Sequence, residues 1–245
     1  MLMEKFIASG PFGKIECLVE PSKIRSSGVL VVAHGFRGSR EGGGRAAAVA
    51  RTCARWCDVV RFNFSGVRTT SSQVAELEAV ISAVRKLKPD ARVFLLGRSL
   101  GGAASIIAGF KDKGIAGLAL WATPNDLRGT FQHVMEPQDY LRLDRGESIY
   151  VNDERGECVV TPDFLTDFDR YDLTFMLQNL AGRPVLILHC SADEMVPVGN
   201  ALKNASLVGA TCSLHIFQGG DHSFTEFSVE AGEIIADWLK EQQEY

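Results

Sequence analysis

The sequence predicts an α/β fold: a mostly parallel central sheet with helices on both faces and a small inserted cap. Three observations lead there. Apolar runs of strand length alternate with segments whose apolar residues recur every three or four positions. That alternation favours parallel strands joined by helical crossovers. A chain of 245 residues is also long enough for one domain with a large core.

Taken in order, residues 15–19 read as an antiparallel leading strand. The strands that follow are expected at 29–33, 59–64, 93–96, 118–121, 185–188 and 212–217. Between them, Ala46, Val49, Cys53 and Trp56 mark one face of a first helix. Val74, Leu77, Ile81 and Val84 mark a second, and Ala231, Ile234, Ile235, Trp238 and Leu239 mark a last one. This spacing suits helices packed on a sheet. The core is expected over 1–124 and 183–245. The stretch 125–182 is too long for a simple crossover and reads as the inserted cap. Within it, Ser148-Ile149-Tyr150-Val151 and Cys158-Val159-Val160 flank a turn and predict a β-hairpin. Thr161-Pro162 starts a helix with proline at its first position. Another short helix is expected near 173–180, before Gly182 and Pro184. Phe131, Met135, Tyr140 and Phe164 are candidates either for the cap's own core or for substrate contact.

The chemistry is concentrated in Gly97-Arg98-Ser99-Leu100-Gly101. An apolar run precedes it and a small-residue helical pattern follows, so Ser99 falls on a sharp strand-to-helix turn. Such a turn strains the serine backbone and projects its hydroxyl from the sheet edge. Ser99 is the candidate nucleophile. A serine hydroxyl is protonated at neutral pH and needs a base, which in turn needs an orienting acid. Of five histidines, His222 lies in a glycine-rich loop after the last strand, where the base is expected. His189 ends the 185–188 strand, too early to be the base but placed to line the site's floor. His215 lies within the last strand, and His133 lies in the insertion.

The acid is expected after the preceding strand, where Asp193 stands at the turn and Glu194 is its competitor. Asp221 adjoins the histidine and is expected to point away from the ring. Two backbone N–H groups are needed for the developing oxyanion. Leu100 supplies one, and Phe36, after His34-Gly35, the other; Phe36 can also serve in packing. Arg98 and Trp121 are the candidate substrate-binding side chains. Arg98 can meet a substrate carboxylate or pair with a carboxylate beneath the cap. All these residues follow strand carboxyl ends, which right-handed crossovers bring to one rim.

In that order and spacing, His34-Gly35-Phe36, Gly97-Arg98-Ser99-Leu100-Gly101, Asp193 with Val196-Pro197, and His222 resemble the α/β-hydrolase superfamily. Within it the chain is most similar to small intracellular acyl esterases of the cinnamoyl/feruloyl esterase and serine-aminopeptidase-like kind. The resemblance covers nearly all of the chain outside 125–182. It departs at Asn63, where many relatives carry aspartate, which touches a loop contact more than the chemistry.

These residues imply hydrolysis of a small-molecule ester by a Ser-His-Asp triad. Thioester, amide or peptide cleavage uses the same triad, and a non-catalytic ligand-binding protein of the same fold is the reading from another class. No metal or organic cofactor is implied. The net charge of −4 and the lack of a basic stripe exclude a nucleic-acid footprint. No apolar run reaches the ~18 residues of a membrane span, and the first residues do not read as a signal peptide. Six cysteines in mostly apolar contexts fit free thiols in a cytoplasmic protein. Cys53 and Cys57 lie one helical turn apart without further metal ligands nearby.

Overall fold

The computed structural model describes residues 4–153 and 155–243. The first hairpin pairs β1 (Lys5–Gly10) with β2 (Gly13–Glu20), and β2 runs antiparallel to β4 (Asp58–Phe62). From β4 onward every pairing is parallel: β3 (Gly28–Ala33), β5 (Arg92–Arg98), β6 (Ile115–Trp121), β9 (Val185–Cys190) and β10 (Cys212–Phe217). The spatial order of the eight strands is β1-β2-β4-β3-β5-β6-β9-β10.

Side chains alternate across a strand, and this splits the core into two layers. Val29, Val31, Val60 and Leu95 face one cluster, together with Leu77 and Ile81 of α2 (Thr70–Leu87) and Ile106 and Ile107 of α3 (Leu100–Lys111). Leu30, Val59, Phe94 and Leu96 face the other, with Val49 and Cys53 of α1 (Arg45–Cys53) and Ile235 and Leu239 of α9 (Ser228–Glu241). Each fully buried side chain of this size contributes about 1.5–3 kcal/mol relative to exposure. The α2 helix starts where Thr69 turns extended and its side chain accepts a hydrogen bond from Ser72 N at 3.1 Å. A cap of this kind stabilises by about 1 kcal/mol.

Between β6 and β9 the chain forms α4 (Leu127–Val134), α5 (Pro137–Asp144), the hairpin β7 (Ile149–Asp153) with β8 (Gly156–Val160), and the short helices α6 (Asp163–Thr166) and α7 (Leu173–Gln178). The expected hairpin and both short helices occur there. Pro162 is the N-cap of α6 rather than its first residue, because Asp163 already begins the helix. Trp56 lies past the end of α1, which stops at Cys53, but still packs on the core. The insertion is organised around Phe131, Phe164 and Phe168, whose rings lie 4.9–5.2 Å apart. It is tied to the start of α2 by Asp167, which accepts hydrogen bonds from Ser71 N at 2.7 Å and Ser71 Oγ at 2.6 Å. Past β9, α8 (Gly199–Val208) leads to β10. Among the described residues no helix is long and apolar enough to cross a membrane.

Candidate active site

The turn between β5 and α3 sets the geometry. Ser99 has φ 53° and ψ −125°, a region that L-residues other than glycine rarely occupy. The strain persists because the surroundings fix it. Ser99 N donates to Trp121 O at 2.8 Å. A Cβ on Gly101 would stand 2.3 Å from Ala33 O and 2.4 Å from His34 O. One on Gly97 would stand 2.5 Å from Gly101 O, Gly102 Cα and Ser105 Oγ. Only glycine lets α3 start so close to the end of β3.

Asp193 follows β9 with its side chain fully buried. Oδ1 accepts Met195 N at 2.9 Å and Val196 N at 2.8 Å. His222 Nδ1 lies 3.0 Å from Oδ1 and 2.9 Å from Oδ2. A carboxylate can only accept, so Nδ1 carries the proton and Nε2 keeps a free lone pair. Burial pushes the Asp193 pKa up, but the His189 and His222 N–H groups facing the carboxylate and the Val196 N–H outweigh it. The carboxyl stays well below the usual range. Glu194 takes a different place: its Oε2 accepts His222 N at 3.1 Å, so both acids hold the histidine and Asp193 alone holds the ring. Asp221 turns away from the ring, accepting from Thr225 N at 2.8 Å and Thr225 Oγ1 at 2.6 Å.

The oxyanion candidates also sit at this turn. Among the described residues, neither Phe36 N–H nor Leu100 N–H donates to a protein acceptor. Leu100 opens α3, so its N–H shares the positive end of the helix. The loop carrying Phe36 is fixed by His34. Phe64 N donates to His34 Nε2 at 3.0 Å, which leaves Nδ1–H to donate to Gly35 O at 2.9 Å. Burial lowers the His34 pKa, which keeps that neutral tautomer. The Phe36 ring packs on Phe131 and Phe164 at 5.3 and 5.1 Å, so the residue joins rim and insertion. Asn63 makes a loop contact, its Oδ1 accepting Arg40 N at 2.7 Å.

Ser99 and His222 line one cleft with Gly35, Phe36, Phe131 and Val134, a cavity of about 130 Å³. Among the described residues no hydrogen bond joins Ser99 Oγ to His222. Phe131 is thus both core and cleft wall, whereas Phe164 and Tyr140 are buried in the insertion and Met135 packs on its edge. Arg98 lines the cleft and donates from Nη2 to His222 O at 3.0 Å, pairing with a backbone carbonyl instead of a carboxylate. Trp121 departs from the expectation: it does not line this cleft. As the last residue of β6 it turns to the α1–α9 face, its ring 5.0 Å from Phe224. There it borders a second, smaller cavity.

The expected place of His189 at the site's floor carried no link to the acid, and Arg155 went unread in the sequence. His189 is fully buried; its Nε2 bonds to Val196 O at 2.7 Å and stands 3.3 Å from Oδ2 of Asp193, the acid that holds His222. Its spacing of four residues from Asp193 was the available signal. Arg155, at the hairpin, lines the cleft from the insertion side. His133 Nε2 contacts Glu194 O at 3.0 Å, and His215 faces solvent. Burial pushes the Cys57 thiol up to about 12 and the Cys53 thiol well above its ordinary value, so both stay protonated.

The fold recurs in solved structures. Est1E from Butyrivibrio proteoclasticus superimposes with a TM-score of 0.83 at 16% identity, over 99% of this chain and 100% of that one. A second Est1E structure, with ferulic acid bound, gives 0.82 at 16% identity, over 98% and 100%. The esterase domain of a Rhodothermus marinus protein gives 0.78 at 19% identity, over 98% and 99%. No curated protein sequence matches the chain. The sequence model of the alpha/beta hydrolase family matches residues 30–237, most of the chain. By that match, on this sheet order, the chain belongs to the alpha/beta hydrolase family.

Proposed function

We propose that this protein is a serine hydrolase that cleaves small carboxylic esters through an acyl-enzyme. The observation that carries the reading is the buried Asp193–His222 pair at 2.9–3.0 Å, in one cleft with a serine at φ 53°. His222 Nε2 takes the Ser99 proton as Oγ attacks the ester carbonyl. Phe36 and Leu100 N–H groups hold the oxyanion, and His222 then protonates the leaving alcohol. Water, deprotonated by His222, repeats the sequence on the acyl-enzyme and releases the acid. Asp193 stays ionised throughout. Catalytic hydrogen bonds tighten as substrate binds, which accounts for a Ser99–His222 contact still to be closed.

The size of the cleft favours short or single-ring acyl groups. At about 130 Å³ it approaches the roughly 150 Å³ cavity that accepts benzene. Ferulic acid, bound in one Est1E structure, is an aryl acid of that general kind. Esters lead over amides because an alcohol leaves more readily than an amine. Residues 125–182 act as the cap, supplying Thr130, Phe131, Val134 and Arg155 to the cleft wall. All six cysteines are unpaired, which suits a reducing, cytoplasmic compartment.

The test is Ser99→Ala. Turnover of activated short-chain esters should fall by about 10⁴–10⁶-fold with the melting temperature unchanged. Undiminished turnover in the folded variant would overturn the reading.

A further inference from the structure

Beside the Ser99 cleft lies a smaller cavity of about 50 Å³, between the ends of β3, β5 and β6 and the start of α1. Its walls are of two kinds. Val32, Ala46, Val49 and Leu96 form an apolar end. Arg45, Arg98 and Trp121 bring N–H donors, and no carboxylate is among the described lining residues.

Those donors are under-used. Trp121 is 4% exposed, and its buried Nε1–H has no partner among the described residues. A buried donor without an acceptor loses its hydration uncompensated. The Arg45 guanidinium forms no hydrogen bond or ion pair with any described residue. Arg98, mostly buried, gives one of its five N–H groups to His222 O at 3.0 Å. Arg40 also lines the cavity but is held by Glu16 at 2.9 Å. The field has the same sign. Burial lowers the Arg98 pKa, and the charges of Arg45 and Arg155 lower it further, ahead of the opposing pull of Asp193 and Asp221. The Asp221 charge reaches both Arg45 and Arg98, but its carboxylate is held by Thr225 and does not line the cavity.

We propose that this cavity binds a short-chain organic carboxylate. Its two oxygens have lone pairs for the Arg45, Arg98 and Trp121 donors, and its aliphatic tail lies against Val32, Ala46, Val49 and Leu96. The volume is several times the roughly 10–15 Å³ that a single water needs, enough for a carboxylate head and the first part of its tail. Arg98 and Ser223 line both this cavity and the Ser99 cleft. The carboxylate can therefore be the far end of an ester held at Ser99 or a separate free acid. The first source rests on the ester-hydrolase reading; binding itself does not.

Titration calorimetry with butyrate on the full chain reads the site directly. Butyrate should bind one-to-one and more weakly as salt rises. Arg45→Gln and Trp121→Phe should each weaken it by about tenfold. The second variant keeps the ring on Phe224 and removes only the N–H. Neither residue lines the Ser99 cleft, so butyrate bound there instead would be insensitive to both. Absence of butyrate binding, or equal affinity in wild type and both folded variants, overturns the proposal. The source is read from kcat/KM for the nitrophenyl half-ester of glutaric acid against nitrophenyl valerate. A preference of about tenfold or more that Arg45→Gln removes assigns the site to the substrate's own carboxylate. A ratio near one with butyrate still bound assigns it to a free acid. Turnover of neither ester, with butyrate binding intact, counts against the hydrolase reading and leaves the site standing.

Discussion

At the rim of the sheet, Ser99 sits on backbone with almost no room to move, whereas the 125–182 insertion is held by aromatic side chains packed on one another and on the core beneath. Around Ser99 the constraints are backbone contacts: Ser99 N to Trp121 O, and glycines whose Cβ positions are already occupied by neighbouring backbone. In the insertion, short helices and a two-stranded ribbon enclose Phe131, Phe164 and Phe168, and polar ties such as Asp167–Ser71 secure the edge. The difference separates two jobs. Chemistry needs atoms fixed to fractions of an ångström, and strand ends provide that. Substrate choice needs a wall that can vary without disturbing the chemistry, and on the proposed function that wall is the insertion, whose aromatic residues continue the α2–α3 side of the core. Phe36 stands at the junction, its N–H on the rim and its ring in the aromatic cluster.

The largest break in this comparison is expected on the rim. Asp193→Asn should lower kcat by about 10⁴-fold, because an amide can donate to His222 Nδ1 and favour the wrong tautomer. It also carries a pH signature. The Asp193 carboxyl is held below its ordinary value, so its stabilisation is complete above the unfolded carboxylate pKa, about 3.9. It is lost as pH falls through the lowered folded value. The asparagine variant should lose that part of the acid dependence in a denaturation series; an unchanged acid limb would count against the assignment.

An intermediate effect is expected inside the insertion. Phe164→Ala removes a ring 1% exposed that touches Phe36, Phe131 and Phe168. It should cost about 3–5 kcal/mol in urea denaturation while leaving the Asp193–His222 pair in place. Because Phe36 loses a neighbour, ester turnover should fall far less than in the Asp193 variant. A loss as large would show that rim and insertion are one unit.

The smallest effect belongs to the edge tie. Asp167→Ala leaves Ser71 N–H without its acceptor and should cost about 1–3 kcal/mol. Proteolysis of the insertion should speed up more than global unfolding, a local opening. Equal acceleration of both would merge the two regions.

The sequence exposes the rim far better than the rest, for physical reasons. A strand–turn–helix with glycines flanking a serine is a local pattern, and the topology then collects Asp193 and His222 from other strand ends. The β1 strand was hidden because Phe6 and Ile7 are adjacent apolar residues, although Phe6 is buried and Ile7 is 54% exposed. The α8 helix was hidden because it buries little beyond Ala201 and Asn204, and Leu202 faces solvent. Trp121, a candidate for substrate binding, ends β6 beside Ser99, but alternation across the sheet sends its ring to the other face. The tie between His189 and Asp193 depends on how the turn after β9 folds back, which spacing alone does not reveal.

The central claim is that Ser99 is an activated nucleophile on a rigid rim. A fluorophosphonate probe tests it most directly, because the reagent reacts with an activated serine and needs no knowledge of the natural ester. The account predicts one phosphonyl group per chain, on the peptide containing Ser99, abolished by Ser99→Ala and sharply slowed by Asp193→Asn. Folded protein that takes up no label, or takes it up at a serine other than Ser99, would contradict it.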